Sequence, residues 1–436
     1  MKRFFLASVS FLFLITISFS QNSVGVAGKT KSSALQPAKP ESVGFSPERL
    51  KRIDDNINEW LKDGRLNGCG ALIIRNGKII YNKAFGYDDL EKTKPIRTDN
   101  IFRIASQTKA ITSTAVMILY EEGKFLLDDA VSKYIPEFAI QQVLDQFNAA
   151  DSNYTTVPAK SEVTIRQLLT HTSGISYAQI GTKEANAIYS KANITAGLGV
   201  EKGRILSTDM KKLGNMPLLH QPGEKFTYGL NTDVLGYLVE VISGMRLDEF
   251  FRKRIFGPLG MNDTYFYLPP AKQNRLVTLY EEADKKLVKA NPVTEQNGVF
   301  LIDYPKTEGT YFSGGAGLSS TMLDYAIFLQ MILNGGEYNG KRLLSRNTVR
   351  MMTMNQIGDV NFGNNKFGLG FGITTEKGSS ILPTPEGVFE WGGAFSTTYW
   401  ADPKEKLIGI FYRQLWKTTI GETANKFKVL VYQALE

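Results

Sequence analysis

Two histidines and a single cysteine are all that these 436 residues offer in soft metal ligands and thiol chemistry, and that scarcity excludes a good deal. Cys69 has no partner for an intramolecular disulfide. In Gly68-Cys69-Gly70, at the start of an apolar strand-like run, it reads as a small buried residue. With His171 and His220 far apart and no H-E-x-x-H, nothing has ligand spacing, so neither a metal nor another cofactor is expected. A Ser-His-Asp triad would have to draw on the same two histidines. His171 lies in LLTHTSGI, where a helix ends in a turn, and His220 precedes Gln221-Pro222-Gly223 in a loop. G-x-S-x-G is absent too, which argues against the strained elbow of an α/β-hydrolase.

Dense basic stripes with interleaved aromatics are also lacking, so no nucleic-acid site is read from the chain. Past the N terminus no apolar stretch reaches spanning length without charges. The N terminus itself, MKRFFLASVSFLFLITISFS, has Lys2 and Arg3 ahead of a nearly uncharged run and small side chains at Ser18 and Ser20. That pattern predicts a signal peptide over residues 1–20, hence a periplasmic or secreted protein with no stable membrane span after cleavage. Its removal leaves 49 cations against 43 acids, a mildly basic +6. Residues 21–40, rich in Ser, Gly, Ala, Lys and Pro, read as a flexible leader.

From residue 41 onward the chain has ordinary globular patterning. ALIIR and KIIYNKAFG flank Asn76-Gly77, a strong hairpin signal. Near the other end FEWGGAFSTTYWADP and KLIGIFYRQL predict two or three strands over residues 389–415, turning at Asp402-Pro403-Lys404, and GETANKFKVLVYQALE predicts a closing helix. Between them, helical spacing covers residues 106–122, 164–169, 232–243 and 321–333, with glycine stops at Gly123, Gly244 and Gly335. The expected fold is α+β: one antiparallel sheet assembled from both chain ends, flanked by helices, with a helix-rich lobe inserted. The sheet lobe covers about residues 41–105 and 300–436 and the helical lobe about 106–299. Residues 139–162 and 265–310 carry no usable period.

Ser106-Gln107-Thr108-Lys109 opens the uncharged run AITSTAVMILY, so this helix must be buried nearly all round. A spacing of three brings the hydroxyl and the amine to one face. An amine buried there, at the positive end of the helix, is disposed to accept or relay the serine proton. S-x-x-K alone is a weak signal, and a helix-capping serine with a snorkelling lysine fits it equally.

With IFRIASQTKAITS, VTIRQLLTHTSGI, QPGEKFTYGLNTDVLGYLVEVISG, FSGGAGLSSTMLDYAIFLQMILNGG and EWGGAFSTTYWADP in this order, the chain from about residue 43 to its end resembles the serine β-lactamase and penicillin-binding-protein superfamily. The likeness is to its class C-like branch, and it implies a β-lactamase/transpeptidase-like fold. It also implies Ser106 as nucleophile, Lys109 as its partner and Tyr228 as the tyrosine of Y-x-N, acting with Lys109 on the protons. A phenol ionises at about pH 10 unless a cation adjoins it, and Lys109 is the candidate. The third motif matches Trp391-Gly392-Gly393, implying a substrate-binding strand and an oxyanion hole from the backbone N–H groups of Ala394 and Ser106.

Two departures stand out. Leu230 occupies the Asn place of Y-x-N, with Asn231 one residue late and placed here among the substrate-binding residues. Trp391 replaces the cation that helps hold a substrate carboxylate. Both look most like family VIII carboxylesterases. The resemblance therefore implies an acyl-enzyme at Ser106 and a small ester or amide as substrate, with esters preferred. A β-lactamase, a D,D-carboxypeptidase or a non-turnover penicillin-binding sensor is the alternative.

Overall fold

The computed structural model describes residues 1, 32–291, 293–295 and 298–436. The expected signal peptide, apart from Met1, and the leader up to residue 31 lie outside the described residues. Eight strands make the main sheet: β1 (Gln36–Pro37), β2 (Gly68–Arg75), β3 (Lys78–Gly86), β4 (Lys366–Phe367), β5 (Gly372–Ile373), β6 (Phe389–Gly393), β7 (Thr397–Asp402) and β8 (Leu407–Tyr412). Their order is β1-β3-β2-β8-β7-β6-β5-β4. Asn76 and Gly77 both take left-handed backbone, φ 51° and 71°, the geometry that lets a two-residue turn follow the strand twist between β2 and β3. β2 then pairs with β8, Gly70 opposite Tyr412 and Arg75 opposite Leu407, so the sheet joins both ends of the chain.

The centre of the sheet is buried on both faces. Cys69, Ala71 and Ile73 point to one side, where Leu50, Ile53, Ile57 and Trp60 of α1 (Pro47–Lys62) meet Phe427 and Val431 of the C-terminal helix (Glu422–Tyr432). Leu72 and Ile74 point to the other, against α2 (Thr108–Glu121), α3 (Asn231–Ser243) and α4 (Met322–Leu333). Each such aliphatic side chain contributes about 1.5–3 kcal/mol by leaving water, which makes this two-sided packing the main force that aligns the two chain ends.

Expected and observed helices agree closely. Residues 164–169 become Ile165–Leu169 behind a Thr164 capping box, and residues 321–333 become α4 behind a Thr321 cap. Gly123, Gly244 and Gly335 end their helices in left-handed backbone.

Three differences have physical reasons. The chain is bound to the sheet before residue 41: Leu35 is buried, its N–H donates to Tyr338 Oη at 3.0 Å, and Gln36 pairs with Lys78. A few scattered apolar residues in a polar stretch leave no period to read. That β1–β3 pairing is parallel, so the sheet is antiparallel over all pairs but this edge one. Residues 106–299 also hold hairpins, Gln142–Phe147 with Tyr154–Pro158 and Tyr280–Ala283 with Lys286–Lys289, whose largely exposed faces impose no alternation.

Candidate active site

Ser106 stands at a junction under tension. The short strand Phe102–Arg103 pairs with Ser319–Ser320, Ile104 N–H donates to Leu318 O at 3.1 Å, and Ala105 is then forced to φ 42° before a 3-10 turn, Ala105–Gln107, runs into α2. A non-glycine residue in that region costs about 1–3 kcal/mol and persists only where its surroundings hold it. Here they do: Tyr412 Oη donates to the Gln107 side chain at 2.6 Å, Tyr325 Oη to the Gln107 carbonyl at 2.9 Å, and Leu318 N–H to Thr108 Oγ1 at 3.1 Å. Ser106 itself stays half-buried, with a reachable hydroxyl.

Lys109, on the first turn of α2, is 1% exposed. Its Nζ lies 3.5 Å from Ser106 Oγ, 2.9 Å from Tyr177 Oη and 2.7 Å from Gly315 O. The carbonyl can only accept, so one N–H is committed there; the two hydroxyls can donate or accept. The amine also sits 4.7 Å from the centre of the Tyr228 ring and 5.5 Å from that of Tyr177. Burial, reinforced by the neighbouring Tyr228 and Asp233, pushes the Tyr177 phenol well above its ordinary range, so Tyr177 stays protonated.

Tyr228 precedes α3 and is half-buried. Its ring packs 5.7 Å from Trp391 and 4.9 Å from His171, and the Trp391 indole N–H points at its Oη from 3.4 Å. Trp391 is the middle of β6, lying flat 6.2 Å from Phe362 and edge-on 5.2 Å from Phe367. Gly393 closes β6 against the nucleophile: a Cβ there would overlap Ile104 O and Thr397 Oγ1. Ala394, in the turn that follows, is exposed. Beyond Trp391 lies a pocket of about 290 Å³ whose walls include Asn365, Thr398 and the Glu390–Lys428 ion pair.

Ser106, Lys109 and Tyr228 are thus brought together, with Trp391, Gly392 and Gly393 on the adjoining strand. Asn231 is placed elsewhere. It is fully buried, accepts from Ser173 Oγ, and turns its amide toward His171 Nδ1 (3.0 Å) and Ile175 O (3.3 Å), so it braces the turn that carries Tyr177. Burial drives His171 well below its ordinary range; the ring is neutral and accepts from Asn231. His220 is spent on its own loop, at Gln221 O and Thr227 Oγ1. Among the described residues no group of three or more His, Cys, Asp or Glu could hold a metal ion, and no helix is long and apolar enough to cross a membrane.

Sequence reasoning missed Tyr177, Gly315 and Asp233. Asp233, five residues past Tyr228, accepts from Ser313 Oγ at 2.6 Å, and its carboxyl is pushed up to about 6 by burial, against the Ser313 bond and the Lys109 charge. The signals were present in HTSGISYA and FSGGAG, but nothing in their spacing ties a tyrosine or a glycine carbonyl to a lysine 68 or 206 positions away.

A family model described as Beta-lactamase matches residues 53–433. Esterase EstB of Burkholderia gladioli is 30% identical over 364 residues, covering 80% of this chain and 86% of that protein. A protein of Escherichia coli (strain K12) whose name carries D-alanyl-D-alanine carboxypeptidase is 31% identical over 388 residues, covering 83% and 80%. Among solved structures, EstCE1, titled a hydrolase with promiscuous acyltransferase activity, superposes with a TM-score of 0.76 at 25% identity, covering 88% of this chain and 99% of that one.

Proposed function

We propose that this chain, which belongs to the beta-lactamase family and is a serine hydrolase, is an exported esterase that cleaves small carboxylic esters through an acyl-enzyme at Ser106. Ser106 Oγ attacks the ester carbonyl while its proton passes to Lys109 Nζ. The N–H groups of Ser106 and Ala394 meet the developing oxyanion. The proton is handed on, with Tyr228 beside the path, to the leaving alkoxide, and water then enters by the reverse route to free the acid.

The observation that carries the preference for esters is Trp391. Its ring occupies the third-motif position and packs on Tyr228, Phe362 and Phe367, so the wall beside the nucleophile is aromatic. A substrate carboxylate would find an indole there instead of a charge-assisted partner, whereas an uncharged ester loses nothing. EstB is named an esterase, which favours the same reading.

The test compares p-nitrophenyl acetate and butyrate, nitrocefin and a D-alanyl-D-alanine peptide on the mature protein, with fluorophosphonate labelling of wild type and Ser106→Ala. Ester turnover well above the other two, with labelling lost in Ser106→Ala, is expected. Nitrocefin or peptide turnover far above ester turnover overturns the preference. Labelling without turnover makes the protein a sensor.

A further inference from the structure

Lys109 is buried, yet among the described residues no carboxylate lies within ion-pair distance of it. All three directions of its Nζ point to neutral oxygens, Ser106 Oγ, Tyr177 Oη and Gly315 O. A cation in such a place is costly unless some negative charge balances it. Such a group lies against Gly315. Asp233 is 1% exposed; its Oδ1 takes the Ser313 hydroxyl, and its Oδ2 is sealed from solvent with no side-chain donor. The carboxylate also feels the Gly315 backbone N–H, and its Oδ2 rests against Gly315, where an added Cβ would overlap it and would also come within 3.5 Å of Lys109 Nζ. Only the space left by the missing side chain of Gly315, whose carbonyl is on the lysine, separates the carboxylate from the amine.

We propose that Asp233 is the counter-charge of the catalytic lysine, a positioning residue that acts across the side-chain space left open at Gly315 to stabilise the ammonium form of Lys109. The inference rests on the acyl-enzyme reading given above. When Ser106 Oγ–H breaks and Oγ–C forms, the proton becomes the third N–H of Lys109. It leaves as the bond from carbonyl carbon to alkoxide oxygen breaks and that oxygen is protonated. At both moments the charge on Nζ faces Asp233 over the Gly315 Cα. The glycine is required because any side chain at 315 would part the two groups. The titratable and charged groups facing the carboxylate are Lys109 from α2, Tyr177 from the 171–178 turn, and Tyr311 ahead of Ser313; burial holds both phenols neutral. Ser313 supplies a hydroxyl bonded to it.

Asp233→Asn keeps the shape and removes the charge. On p-nitrophenyl butyrate kcat is expected to fall on the order of 10- to 100-fold, the size of a nearby buried charge that is not in direct contact, with KM little changed. Wild-type kcat should rise with pH through about 6 as Asp233 ionises, and that limb should vanish in Asp233→Asn. Wild-type kcat and an unchanged acid limb in a folded Asp233→Asn protein overturn the proposal. Ser313→Ala serves if Asp233→Asn does not fold. It leaves the charge and removes the bond that favours ionisation, so the limb should move to higher pH, and a limb that stays in place overturns the proposal equally. Fluorophosphonate labelling that persists in Ser106→Ala would instead remove the acyl-enzyme reading itself, whatever Asp233 does.

Discussion

The indole N–H of Trp391 reaches toward the phenol oxygen of Tyr228 at 3.4 Å, so the third motif of the sequence bears directly on the second. On the proposed reading Trp391 therefore does two things at once: it puts an indole where a substrate carboxylate would need a cation, and it packs on the ring that flanks Lys109. Trp391→Ala should lose both the packing and the donor, lowering kcat/KM for p-nitrophenyl butyrate by about 10- to 100-fold, the range of one large apolar contact. Trp391→Lys should lose ester turnover similarly while raising nitrocefin turnover at least about tenfold, since a carboxylate then gains a charge-assisted partner. Parallel steady-state kinetics on the two substrates decide it; a Trp391→Lys protein with no gain on nitrocefin contradicts the role given to this position.

Tyr177 and Tyr228 both adjoin Lys109 but differ in kind. Tyr177 Oη is hydrogen-bonded to Nζ at 2.9 Å and is buried, whereas Tyr228 offers its ring face to Nζ and is half-exposed toward the cleft. Tyr177→Phe should remove one orienting bond and cost about 10-fold in kcat, with Ser106 still labelled by a fluorophosphonate. Tyr228→Phe should remove a group in the proton path and cost about 10²–10⁴-fold. Equal losses in the two variants would mean that the tyrosines form one unit and that the division made here is wrong.

How much of this was readable beforehand depends on whether one face of a segment had to be dry. The hairpin at Asn76-Gly77, the strands around Trp391 and the helices with glycine stops were legible because burial imposes a period on them. The hairpin formed by Tyr154–Pro158, exposed at every position, had none to offer. The site divides along the same line. Ser106 and Lys109 are neighbours on one turn and Tyr228 comes from the family resemblance, so these three could be named from the sequence, and the structure puts them side by side. Tyr177, Gly315 and Asp233 reach the lysine only through the packing of α2, α3 and the 313–317 segment, which no local pattern encodes. Asn231 was misjudged for the opposite reason: its place beside Tyr228 in sequence suggested the cleft, but its position at the start of α3 turns it inward toward His171.

Stability should carry a pH signature from buried carboxyls. Asp324, in α4, accepts from Asp263 N–H at 2.7 Å and Thr264 Oγ1 at 2.9 Å, yet burial outweighs these bonds and pushes its carboxyl up to about 6 from an ordinary value near 3.8. The folded protein then binds more protons than the unfolded chain between about pH 4 and 6, so this group makes stability fall as pH rises through that window. The full difference is on the order of 2–3 kcal/mol above pH 6. Urea midpoints for wild type and Asp324→Asn at pH 4 and pH 7 isolate it: the gap between the two proteins should shift in favour of the variant at pH 7. A gap that is the same at both pH values rules the mechanism out.

Neighbouring glycines of β6 should behave differently, and the contrast tests what holds the third motif against the nucleophile. A Cβ on Gly392 would meet nothing closer than Thr397 O at 3.3 Å and Thr398 Cγ2 at 3.8 Å, a tight fit that a small shift relieves. On Gly393 it would overlap Ile104 O, two residues before Ser106, and Thr397 Oγ1, which is buried without a partner. Backbone on one side and a β-branched side chain on the other leave no easy direction of escape. Gly393→Ala should therefore cost about 1–3 kcal/mol of stability, seen as a Tm lower by a few degrees, and should part β6 from the strained turn at Ala105. Because the expected oxyanion donors sit on the two sides of that contact, kcat should fall at least about 100-fold. Gly392→Ala should leave Tm nearly unchanged and act chiefly on KM, through the closeness with which a substrate can approach the strand. Thermal melts with steady-state kinetics on both variants check this; a Gly393→Ala protein with wild-type Tm and kcat would mean that the contact between β6 and Ile104 does not set the geometry of the site.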